Sequence, residues 1–214
     1  MSAQTLVYLV RHGECAGNAE KRIRGRVDFP LNETGKLQAQ AASVGLSEIH
    51  LDFVYSSPLV RALETAETIA KPHGLPVSIC EAFTNMSFGV WDNRKKSELA
   101  SEDPVEWEHW LNNTELLRVK DGETVDEVKQ RSFAALNKLV RKHEGKAILI
   151  VSHREVLRPM LAAALGINSP YMWRIHLDNA SCSCLSYTPE RGYTLMKSND
   201  TSHMKNVGLL NEYD

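Results

Sequence analysis

Two apolar, β-branched runs that each stop at a histidine constrain this chain more than any other feature. Thr5–Val10 (TLVYLV) ends at Arg11-His12, and Lys146–Val151 (KAILIV) ends at Ser152-His153. Runs of this length without polar alternation read as strands covered on both faces. Further short strands are expected at Asp52–Tyr55 and Val77–Cys80, and alternating ones at Ser181–Tyr187 and Tyr193–Lys197. Helical patterns separate them: about Lys36–Ile49 after a cap at Asn32 or Thr34, Ser57 to about Pro72, Gly122–Glu123 to about His143, and about Glu155–Leu165. Ser57-Pro58 reads as an N-cap followed by proline at the first helical position. Strands alternating with helices predict an α/β fold, a three-layer sandwich with a mainly parallel central sheet and helices on both faces. In such sheets ligands bind beyond the carboxyl ends of the strands. Both histidines are therefore expected at one functional edge.

Residues 81–122 break the pattern. Phe83, Phe88, Trp91, Trp107 and Trp110 fall among acidic residues and Asn, with short helices expected at Lys95–Ser101 and Pro104–Asn112. This stretch reads as a small helical lid insertion in a single domain spanning residues 1–214. The tryptophans have two readings, a substrate cleft or a small core under the lid. A length of 214 residues fits one domain, and a hydrophobic fraction of 43% with 24% charged residues excludes global disorder. The apolar runs are far shorter than the ~20 residues of a membrane span. The N-terminal stretch lacks the basic region of a signal peptide, so a cytoplasmic location is expected. A net charge of −2 gives no general attraction to nucleic acid or to an anionic membrane. Cys15, Cys80, Cys182 and Cys184 form no ligand spacing, so reduced thiols and no metal site are expected. Residues 200–214 read as a loosely held tail.

The chemistry is local. Arg11, His12, Arg61 and His153 follow or flank strand ends, and the long loop from Gly13 to Pro30 adds Asn18, Arg22, Arg24, Gly25 and Arg26. Arginine's planar fork matches phosphate oxygens, and a histidine among such groups is a candidate nucleophile toward phosphorus. Either histidine alone is as readily a satisfied core or surface residue.

The ordered set Leu9-Val10-Arg11-His12-Gly13-Glu14, Asn18, Gly25, Asp28, Pro30–Gly35 (PLNETG), Tyr55–Leu59 (YSSPL), Arg61-Ala62, Thr65-Ala66, Phe88-Gly89, Trp91, Gly122-Glu123, Val151–His153 and Asp178–Ser181 resembles the histidine phosphatase superfamily (phosphoglycerate-mutase-like). The resemblance implies that His12 is the nucleophile that becomes a phosphohistidine. It implies that Arg11, Arg61 and His153 hold the phosphoryl oxygens, that Asn18 adds a phosphate contact, and that no metal or other cofactor takes part. It also exposes two departures. The family usually has a glutamate that protonates the leaving oxygen; alignment on Phe88-Gly89-Val90-Trp91 places Asn85 there. After His153, where small residues are common, stand Arg154 and Glu155. Glu155 is therefore a candidate acid/base residue, against the alternative that it pairs with Arg154 or Arg158. Glu81 and Asp92 are further candidates. Arg24, Gly25, Asn85 and Arg154 are expected to touch substrate.

The expected function is a metal-independent phosphomonoesterase acting on a small phosphorylated metabolite. Two alternatives stay open: a phosphoglycerate mutase of the same superfamily, and a catalytically weak phosphate-binding module marked by Asn85. A homodimer paired through the Ser181–Tyr187 strand edge is compatible with the sequence and not required by it.

Overall fold

The computed structural model describes residues 3–168 and 174–205. Six strands form one sheet in the order β3-β2-β4-β1-β5-β6: β1 (Thr5–Arg11), β2 (Phe53–Ser56), β3 (Val77–Ile79), β4 (Ala147–Ser152), β5 (Cys182–Thr188) and β6 (Gly192–Asp200). The first four strands in space are parallel; β5 and β6 are antiparallel additions. Side chains of successive strand residues point to opposite faces. Val10, Leu149 and Val151 thus join one core with α2 (Glu33–Gly45) and α3 (Val60–Ala70). Leu9, Ile148 and Ile150 join a second core with α6 (Val125–Lys142) and α7 (Arg154–Ala164). The two cores on either side of β4 explain its uninterrupted apolar sequence. The fold is the expected sandwich.

Three local details differ from expectation. Of the two expected caps of α2 the structure uses Asn32, whose side-chain oxygen accepts the Gly35 N–H at 2.8 Å, but the helix runs Glu33–Gly45 and not about Lys36–Ile49. Ser57 does not cap α3. The helix begins at Val60, and its N–H donates to Asp28 Oδ1 at 2.7 Å, a cap supplied by the long loop. The Ser181–Tyr187 segment is not an edge: β5 lies between β1 and β6, and the sheet's edges are β3 and β6. Alternation identifies a strand but not its place in the sheet. No helix among the described residues is long and apolar enough to cross a membrane. Of the expected tail, Asp200 belongs to β6, residues 202–205 form a short helical turn, and 206–214 lie outside the described residues.

Residues 81–122 hold short helical turns and two helices, α4 (Lys96–Glu102) and α5 (Pro104–Asn112). They pack on Met86, Phe88, Leu99, Leu117 and Val128 as a third apolar cluster. Trp91 is a core residue of that cluster, 2% exposed, with its indole N–H donating to Asp103 Oδ2 at 3.1 Å. Trp107 and Trp110 pack against the cluster and also line a cleft. Both sequence readings of the aromatics thus apply, to different residues.

Candidate active site

Strand pairing brings the two histidines together. β1 and β4 are parallel neighbours with Arg11 opposite Ser152, so His12 and His153 leave the sheet side by side. Their ring centroids are 5.0 Å apart. Both rings are buried. The His12 N–H donates to the Ser152 carbonyl at 3.0 Å, and the His12 carbonyl accepts Asn179 Nδ2 at 2.9 Å, which fixes the backbone at the turn.

His12 Nδ1 lies 2.6 Å from the Gly13 carbonyl. A carbonyl only accepts, so Nδ1 carries the proton and Nε2 keeps its lone pair. Burial, then the charges of Arg61, Arg11 and Arg24, push the His12 pKa well below 6.5. The imidazole is neutral at physiological pH, the state a nucleophile needs.

The guanidiniums are held by backbone carbonyls. Arg11 donates to Leu177 O at 2.7 Å. Arg61, in the first turn of α3 and fully buried, donates to Val27 O at 2.9 Å and Gly25 O at 3.0 Å. Burial lowers its pKa to about 10, which leaves it charged at neutral pH. Arg61 thereby ties the loop from Gly13 to Pro30 to the strand ends. Its Nε makes no hydrogen bond within the protein, nor do Arg24 Nε and Asn18 Nδ2, all buried. Asn18 is oriented by Cys15, whose N–H donates to its Oδ1 at 3.2 Å. Buried donors without partners are costly and need an explanation. Two of them belong to Arg61 and Arg24, whose charges act on His12, and such donors suit a compact anion rich in acceptors, as phosphate is. Gly25 permits the approach of the loop. Its φ is +50°, and a Cβ there would overlap the Asp92 carboxylate.

Asn85 is buried as well. Its Nδ2 donates to Gly25 O at 2.9 Å, which turns Oδ1, an acceptor without a partner, the other way. Glu155 is paired with Arg154 at 2.9 Å. Burial alone would favour the neutral acid, but Arg154, then Arg24, Arg11 and Arg158, hold its carboxyl well below the usual carboxylate range. That state suits an ion pair and is the reverse of what a proton donor requires at neutral pH. Asp92 accepts the N–H groups of Phe88 and Arg26 at 3.0 and 3.4 Å, and Glu81 Oε2 accepts Thr84 Oγ1 at 3.3 Å. Both carboxylates make local contacts, and burial pushes the Asp92 pKa up.

Beside these groups lies a cleft of about 390 Å³, walled by Trp107, Trp110, Leu111 and Pro159, with Arg154, Glu155 and Arg158 along it. A narrow crevice shares Trp110, Arg154 and Glu155 with the cleft and reaches Arg24, Gly25 and Asn85. The basic loop divides. Arg24 turns inward, while Arg22 pairs with Glu20 and Arg26 with Glu123. Among the described residues no cluster of three or more His, Cys, Asp or Glu is arranged to hold a metal ion.

One residue of this site was missed in the sequence. Ser57, read there as a helix cap, places its hydroxyl 2.8 Å from His153 Nε2. The available signal was its position at the carboxyl end of a strand, the criterion that singled out the histidines.

The family model of the histidine phosphatase superfamily (branch 1) matches residues 7–201. Phosphoserine phosphatase 1 of Hydrogenobacter thermophilus is 32% identical over 198 residues, which is 92% of this chain and 93% of that protein. A Yersinia pestis protein named "Probable phosphoglycerate mutase GpmB" is 33% identical over 202 residues, with 92% and 94% covered. The solved structure of Bacillus stearothermophilus YhfR superposes with a TM-score of 0.89 at 30% identity, covering 94% of this chain and 99% of that one. Sequence and fold together show that the chain belongs to the histidine phosphatase superfamily, branch 1.

Proposed function

We propose that this protein is a metal-independent phosphomonoesterase that works through a phosphohistidine on His12. One observation carries the reading. His12 presents the Nε2 lone pair of a buried neutral imidazole, with its proton fixed on Nδ1 by Gly13, among the guanidiniums of Arg11, Arg24 and Arg61. In the first step Nε2 forms a bond to phosphorus as the ester P–O bond breaks, and the alcohol leaves. In the second, water attacks phosphorus, the P–N bond breaks, and inorganic phosphate departs. The transferred group carries its charge on the equatorial oxygens, so positioned cations and N–H donors supply most of the catalysis. Arg11, Arg61, Arg24, Asn18 and His153 fill that role here.

Asn85 cannot give a proton to the leaving oxygen, and Glu155 is tied up as an ion pair. With neither residue as the acid, esters with stable leaving groups, which need little proton transfer, are favoured. The cleft beside the site supports a small substrate with an apolar face against Trp107 and Trp110 and a polar or anionic end toward Arg154. Phosphate release from p-nitrophenyl phosphate, with EDTA present, tests the proposal. Activity that survives EDTA and is lost in His12→Ala supports it; activity retained in His12→Ala refutes it.

The similarity to a protein named as a phosphoglycerate mutase favours a second reading, return of the phosphoryl group to another hydroxyl. Conversion of 3-phosphoglycerate to 2-phosphoglycerate, faster than phosphate release from it, would establish that reading instead. Saturable phosphate binding without turnover of any ester would identify a binding module.

A further inference from the structure

The two ring nitrogens of His153 are treated differently by the fold, and the difference traces to one hydroxyl. Ser57 follows β2 as His153 follows β4. The two strands are parallel neighbours with Ser56 opposite Val151, and the Ser57 N–H donates to the Val151 carbonyl at 3.0 Å. This register sets Ser57 Oγ 2.8 Å from His153 Nε2, with both residues fully buried. His153 Nδ1 has no hydrogen-bond partner within the protein.

The direction of the Ser57–His153 hydrogen bond decides what His153 can do. A hydroxyl has one proton to give and two lone pairs. The Leu59 N–H already donates into Ser57 Oγ at 3.3 Å. Among the described residues the contacts of Oγ are that N–H donor and His153 Nε2, so His153 Nε2 is the acceptor for the hydroxyl proton. Ser57 is released for this contact because Asp28, from the long loop, caps α3 in its place. With Ser57 donating, Nε2 holds a lone pair and the imidazole proton sits on Nδ1. An Nδ1–H can donate to a phosphoryl oxygen; a bare Nδ1 would face that oxygen lone pair to lone pair.

We propose that Ser57 is a positioning residue that fixes His153 as its Nδ1–H tautomer, so that His153 meets the phosphoryl group as a hydrogen-bond donor. The proposal rests on the phosphomonoesterase reading for its consequence, but the tautomer itself is a property of the resting protein. Loss of one donor to a charged oxygen costs about 10–100-fold in kcat/KM.

The test combines ¹⁵N NMR of histidine-labelled protein with kinetics on p-nitrophenyl phosphate. In the unmodified protein the His153 resonances, assigned with His153→Gln, are expected to show a protonated Nδ1 and an unprotonated Nε2. Ser57→Ala should mix or invert that pattern and lower kcat more than it raises KM. Ser57→Thr, which keeps the hydroxyl, should restore both readouts. A protonated Nε2 in the unmodified protein overturns the proposal. So does a Ser57→Ala protein that keeps the Nδ1–H pattern, whatever its activity, because a merely structural role leaves the tautomer alone. Absence of turnover with the expected tautomer would count against the phosphohistidine mechanism and leave the assignment standing.

Discussion

Replacing Asn85 by glutamate places a titratable carboxyl at the position from which the family ordinarily protonates the leaving oxygen. The buried Asn85 amide donates to Gly25 O at 2.9 Å and leaves Oδ1 unpaired beside the crevice that reaches Arg24. A glutamate there loses the amide hydrogen bond, worth about 1 kcal/mol or roughly a factor of five. It gains general-acid assistance, worth about 10²–10⁴-fold for a leaving group that needs a proton. The net expectation is a kcat on an alkyl phosphate at least about twentyfold higher in Asn85→Glu. On p-nitrophenyl phosphate, whose leaving group needs no proton, the variant should be no faster. The assay is kcat for both proteins on phosphoserine and on p-nitrophenyl phosphate, with circular dichroism to confirm folding. Equal changes on the two esters would refute the reasoning, because a carboxyl that acts as a proton donor must distinguish them.

Other expectations follow from the same geometry. Arg61→Lys keeps the charge but loses the planar fork that reaches Gly25 O and Val27 O; kcat/KM should fall about 10–100-fold, measured by steady-state kinetics. Glu155→Gln should lower kcat by less than about tenfold, since losing a proton donor costs more than that; a larger loss would return Glu155 to the acid role. His12 and His153 are held neutral in the folded protein, chiefly by burial, and would each take up a proton near pH 6.5 when unfolded. The unfolded state therefore binds more protons below that pH. The Tm should be nearly level above about pH 7 and decline as pH falls through 6.5.

The sandwich was legible because its central strands have no polar interruption and its helices repeat with the right period. The pairing of His12 with His153 was legible for the same reason: both end apolar runs that belong side by side. The failures share a different cause. Ser57-Pro58 has the composition of a helix start, and only the contact with Asp28, distant in sequence, shows that the cap comes from elsewhere. The place of β5 inside the sheet depends on β6 pairing along its other side, which alternation does not encode. Glu155 is a separate case: its pairing with Arg154, one of the alternatives the sequence offered, is present, while the additional charges of Arg24 and Arg11 come from segments distant in sequence. Trp91, Trp107 and Trp110 lie in one segment but have different fates, because the burial of each ring is set by packing within residues 81–122 and not by its position along them.

The central claim is a covalent bond between phosphorus and His12 Nε2. It is tested most directly by mixing enzyme with excess phosphoester, quenching in alkali within milliseconds, digesting, and locating any phosphorylated residue by mass spectrometry. The expected result is an acid-labile phosphoryl group on His12, formed and consumed at rates compatible with kcat and lost in His12→Ala. Turnover with no phosphorylated His12 at any time point, and with substantial activity in His12→Ala, would contradict it.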